Sequence, residues 1–116
     1  MKIFLVFVSP DPARSRLSFM EFYEAGFLLY WARSFAEGLT FLGRGSIDLV
    51  IVDAEYGETE TFDFCRDVTT RFPHVKLGVL LPEYRRPPPD LALDLVLVPD
   101  RFESDPAGEL KKHFSR

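Results

Sequence analysis

Five short apolar runs punctuate the chain. Ile3 to Val8 and Ile47 to Asp53 show almost no polar alternation, as a strand covered on both faces requires, because neither set of side chains can face water. Phe27 to Ala32, Val75 to Leu81 and Leu95 to Val98 complete the set, and Gly78 inside the fourth run signals close approach by a neighbouring backbone.

Between these runs the spacing predicts helices. Asp11 as N-cap and Pro12 at the first helical position open one that carries Leu17, Phe19, Met20, Phe22 and Tyr23 on its apolar side, with Gly26 as a left-handed cap. Ser34 opens a second, with Phe35, Leu39 and Leu42 at helical spacing before Gly43 and Gly45. A third starts near Thr59, carries Phe62, Cys65 or Arg66, and Val68 with Thr69, and stops before Pro73. Asp105 and Pro106 start a short closing helix through Leu110 to Phe114. The regularity fails between Leu81 and Leu95. Pro87, Pro88 and Pro89 in a row forbid a continuous helix, so the fourth helix is expected to be shortened or missing, with at most one turn after Asp90.

Strands alternating with helices imply an α/β fold: a flavodoxin-like, doubly wound, five-stranded parallel sheet in the order 2-1-3-4-5 with right-handed crossovers. The expectation is a single domain over residues 1–116. The switch point of such a sheet lies between strands one and three, which gathers Ser9, Pro10, Asp11 and Asp53 around one crevice.

Composition narrows the setting. With 47% hydrophobic and 15% aromatic residues in 116, the chain has ample material for one packed core. Its net charge of -4 speaks against nucleic acid as a partner. Cys65 is the only cysteine, which excludes an internal disulfide and fits a reducing, cytoplasmic setting. The apolar N-terminus is only strand length, too short to cross a membrane.

Asp53 is the leading candidate for chemistry, with loop capping as the structural alternative, since Asp often ends strands and Gly57 nearby is turn chemistry. His74 and His113 are expected to be solvated. Tyr23, Phe27, Tyr30 and Trp31 concentrate aromatics at the second strand, an expected sheet edge open to partner binding. Glu55, Glu58, Glu60 and Asp63 form an acidic rim after Asp53. Tyr84, Arg85, Arg86 and the three prolines suit either an extended polyproline docking segment or an ordered surface connection.

Several stretches resemble the receiver domain of bacterial two-component response regulators over essentially the whole chain: Lys2-Ile-Phe-Leu-Val-Phe-Val, Gly26-Phe-Leu-Leu-Tyr-Trp-Ala, Ser34-Phe-Ala-Glu-Gly-Leu, Asp48-Leu-Val-Ile-Val-Asp and Leu95-Val-Leu-Val-Pro. The resemblance implies that Asp53 occupies the position that accepts a phosphoryl group from a histidine kinase, beside an acidic pair that binds magnesium after strand one. Here Ser9 and Pro10 stand where that pair belongs, and Asp11 comes one position late. The family's Thr or Ser at the end of strand four falls on Leu81, or on Leu80 or Pro82 if the register slips. Its strand-five lysine falls on Val98, while Pro99 remains as a candidate for a cis peptide.

The resemblance with these departures implies a degenerate, or pseudo-, receiver: a non-enzymatic signalling module that acts through protein contacts, with weak or no phosphorylation. Its vestigial site would be lined by Ser9, Pro10, Asp11, Glu55, Leu81, Val98 and Pro99. No cofactor is expected. Magnesium, with Asp11 and Asp53 as its weak candidates and a backbone oxygen of Glu55 as a helper, enters only if Asp53 is a genuine phosphoacceptor. The expected partners are proteins, a histidine kinase or a downstream signalling protein among them, with neither nucleic acid nor membrane, and a homodimer left open. A small flavodoxin-like enzyme or nucleotide-binding domain is the remaining alternative, but no Gly-rich phosphate loop follows strand one.

Overall fold

The computed structural model describes residues 2–10, 19–54 and 57–114. Its elements run β1 (Ile3–Val8), α1 (Phe19–Glu24), β2 (Phe27–Ala32), α2 (Phe35–Gly43), β3 (Leu49–Asp53), α3 (Glu58–Arg71), β4 (Lys76–Leu80), β5 (Leu95–Leu97), α4 (Pro99–Ser104) and α5 (Pro106–Phe114). The strands form one parallel sheet in the order β2-β1-β3-β4-β5. That is the flavodoxin-like arrangement the alternation predicts.

The unbroken apolar runs become the interior strands because side chains on both faces of β1 and β3 are buried. Val6, Val8, Val50 and Val52 join one core with α2 and α3. Leu5, Phe7, Leu49 and Ile51 join the other, which includes Phe22, Phe102 and Leu110. Two aspartates just ahead of strands help to fix their register. Asp48 Oδ2 accepts the Phe4 N–H at 2.9 Å, and Asp94 Oδ2 accepts the Leu77 N–H at 2.8 Å. Both are charge-assisted bonds at strand starts, where a one-residue slip would turn each core face outward.

Ser34 caps α2 by accepting the Glu37 N–H at 3.1 Å, as its position suggests. Gly26 takes φ +103, the left-handed conformation expected of it. Gly78 is tight as expected, although side chains press hardest there: a Cβ would lie 2.7 Å from Ile51 Cδ1 and 3.0 Å from Leu95 Cβ.

Residues 81–94 contain no helix, as Pro87, Pro88 and Pro89 require, so the fourth helix is missing. Two expectations are corrected. In α1 only Phe22 is buried, whereas Phe19, Met20 and Tyr23 are exposed; one short helix over a sheet buries a single line of side chains. The Val98–Pro99 peptide is trans, and Pro99 starts a helix, α4, that the apolar pattern does not announce. The proposed N-cap at Asp11 lies outside the described residues, as do Pro12 and Leu17.

Candidate functional site

The parallel register of β1 and β3 sets Val8 beside Val52, so the next residues, Ser9 and Asp53, meet at the carboxyl end of the sheet. Ser9 Oγ donates a 2.9 Å hydrogen bond to Asp53 Oδ2, and the two residues are 0% and 1% exposed. A carboxylate so deeply placed needs hydrogen-bond donors to offset its lost hydration, and the serine hydroxyl is one of them. Ser9 is itself held from the β2 side. Its N–H donates to the Ala32 carbonyl at 3.0 Å, and Trp31 Nε1 donates to the Ser9 carbonyl at 3.0 Å. The Arg33 guanidinium lies 4.7 Å from the Trp31 ring, so the aromatic edge has a structural use beside the crevice.

Asp53 opens onto a cleft of about 200 Å3, walled by Leu80, Pro82 and Pro99 and lipped by Glu58, Tyr84 and Arg85. Arg85 Nη1 pairs with Glu58 Oε2 at 3.2 Å across that lip. Sequence reasoning names both residues but not their meeting, because 27 positions separate them and neither carries a local signal.

The other expected lining residues fall differently. Leu81 turns to the opposite face of the sheet, where it packs in the core with Val79 and Leu91; alternation along β4 leaves Leu80 as the residue that faces Asp53. Val98 is half-buried as the N-cap of α4 and does not line the cleft, whereas Pro99 does. Pro10 is exposed. Asp11 and Glu55 lie outside the described residues.

Of the residues named for magnesium, only Asp53 falls among the described ones. Asp53 is the carboxylate at the strand end, Ser9 adds a hydroxyl already spent on it, and Glu58 is engaged by Arg85. Among the described residues no group of three or more His, Cys, Asp or Glu could hold a metal ion.

Elsewhere, His74 and His113 are exposed, as expected. Cys65 is buried in the core, and desolvation pushes its thiol up to about 12 against an opposing pull from the Arg66 charge. Of the acidic residues after Asp53, Glu60 and Asp63 are exposed, as expected, and Glu58 is half-buried. Glu58 pairs with Arg85, and Asp63 with Arg66 at 3.1 Å. Arg66 also reaches Asp90 at 3.1 Å, so the proline-rich connection is tied to α3 near both its ends. Among the described residues no helix is long and apolar enough to cross a membrane.

No family model and no curated protein sequence matches the chain. Solved structures do. A response regulator from Thermotoga maritima is 24% identical, with a TM-score of 0.78 over 100% of both chains. The response regulator protein TrrA from the same organism, solved in complex with Mg(2+)-BeF, is also 24% identical, with a TM-score of 0.74 over 97% of this chain and 99% of that one. TrrA in its complex with histidine kinase ThkA gives 24% identity and a TM-score of 0.78 over 99% and 100%. From one end of the described chain to the other, its fold is that of a response-regulator receiver domain.

Proposed function

We propose that the chain is a receiver-like signalling module, not an enzyme, which works through contacts with other proteins and takes up phosphate on Asp53 weakly or not at all. The observation that carries this reading is the Ser9 hydroxyl on Asp53 Oδ2. A serine and a proline stand where the family's acidic pair would hold magnesium. The cleft walls Leu80, Pro82 and Pro99 offer neither a hydroxyl nor a cation to a transferring phosphoryl group. Each missing electrostatic helper commonly costs roughly a hundredfold in rate, so what remains around Asp53 supports slow chemistry at best.

A second reading, in which Asp53 is a magnesium-dependent phosphoacceptor for a histidine kinase, draws on one observation. Asp53 opens onto a cleft whose lip carries Arg85, a cation delivered by the proline-rich connection instead of β5. The complexes of TrrA with Mg(2+)-BeF and with ThkA show what such a fold does in another protein.

Incubation with acetyl phosphate and magnesium, followed by intact mass, separates the two. The expected spectrum is that of unmodified protein. A stoichiometric phosphoryl adduct that disappears in Asp53→Asn would overturn the first reading and establish the second.

A further inference from the structure

Away from Asp53, α2 and α3 lie against the same core and leave a groove of about 610 Å3 between them. Its α2 wall is apolar: Phe35 and Leu39, four residues apart, share one helix face and are half-buried. Its floor is Phe64, whose ring stacks on Phe35 at a centroid distance of 4.9 Å. Gly38 lets α2 settle there, because a Cβ at that position would meet Phe64 Cζ at 3.4 Å and Val8 Cγ2 at 3.1 Å.

The α3 wall is acidic. Glu60, Asp63 and Asp67 follow at three- and four-residue steps, the repeat of one helix face. Arg66 is the groove's one lining cation, shared between Asp63 and Asp90. Arg71, one turn beyond Asp67, pairs with Asp67 at 3.5 Å, so four carboxylates, Glu60 among them, face two guanidiniums and the wall keeps a net negative charge. From Glu60 to Thr70 this wall runs about 15 Å, roughly three helical turns.

An apolar wall facing an acidic one matches an amphipathic helix with aliphatic or aromatic anchors at i, i+3 and i+7 and lysine or arginine along one flank. We propose that the α2–α3 groove docks a basic amphipathic helix from another protein. Charge selects it: carboxylates repel phosphate backbones and anionic lipid, and attract a cationic flank. The chain's own basic helix end, Lys111 to His113 of α5, is unsuited to the role in a second copy, because α5 already places Ala107 and Leu110 in its own core. The inference rests on the protein-contact reading but does not involve Asp53.

The test is a titration of the intact chain with three labelled peptides of about fourteen residues, roughly 21 Å as a helix. One is a Leu/Lys amphipathic peptide, one a Leu/Glu peptide of the same pattern, and one a Lys/Ser peptide of equal charge without an apolar face. Binding is read by anisotropy and located by amide shifts. Saturable binding of the Leu/Lys peptide alone is expected, with shifts at Phe35, Leu39 and Phe64. The conservative double variant Glu60→Gln, Asp67→Asn should weaken it roughly tenfold, and Asp53→Asn should leave it unchanged. Equal binding of the Lys/Ser peptide, shifts centred on β2, or no binding would each overturn the inference. So would a dimer in solution that covers the groove. The phosphodonor experiment can fail or succeed without altering any of these readings.

Discussion

Between β3 and β4 the chain crosses the sheet on α3, fourteen residues that bury Thr61, Phe62, Phe64, Cys65 and Val68. Between β4 and β5 it crosses on a helix-free connection with three consecutive prolines, and residues 81–94 bury only Leu81 and Leu91. An α-helix satisfies its backbone internally and can lie on apolar surface. Pro87, Pro88 and Pro89 have no N–H to satisfy, so that stretch can run without a helix and be tied down by side chains on either side, Arg85 to Glu58 and Asp90 to Arg66. Its coverage is thinner. Val96, registered beside the buried Val79, stays 46% exposed, and Tyr84 stands out into solvent. One crossover builds the core, and the other mainly closes the molecule and delivers a cation to the lip of the Asp53 cleft.

The contrast is open to direct attack. Phe64→Ala should cost roughly 3–5 kcal/mol in urea unfolding, and Leu91→Ala about 2 kcal/mol, because a connection without regular structure can collapse onto the space left behind. Equal losses would erase the distinction between the crossovers. Gly78→Ala, on the strand they share, should cost roughly 1–3 kcal/mol by overpacking. Adding Ile51→Val, which removes the Cδ1 atom at 2.7 Å, should recover most of that if the pressure comes from β3; no recovery would place it on Leu95 of β5.

The smallest effect concerns the ties. Hydrogen bonding to Arg66, opposed by desolvation and aided by its charge, holds the Asp90 carboxyl below its ordinary value. A depressed folded value means the tie is present above the ordinary Asp range and is lost as pH falls through the folded one, below about pH 4. Carboxyl NMR should show an Asp90 midpoint under the usual one that returns to it in Arg66→Gln. A midpoint indifferent to that substitution would mean the connection is not fastened there.

The sheet was legible because buried parallel strands need unbroken apolar runs, and β1 and β3 have them. The position of Asp53 followed from strand order alone. The missing helix was equally plain from Pro87, Pro88 and Pro89. What escaped was set by partners distant in sequence. Arg85 meets Glu58 only once the connection folds back over α3. The exchange of Leu81 for Leu80 beside Asp53 turns on a single step of strand alternation. In α4 only Phe102 is buried, too little to announce a six-residue helix, so Pro99 read as a bend and not as a helix start.

Trp31 gives the molecule an optical handle. It is the only tryptophan, and its indole N–H grips the carbonyl of the very residue whose hydroxyl grips Asp53. An event at the carboxylate that shifts the Ser9 backbone should strain or release that grip and alter the native emission, whereas rotation of the Ser9 hydroxyl alone should leave it unchanged. The tryptophan thus separates movement of the strand end from movement of one side chain, without a label.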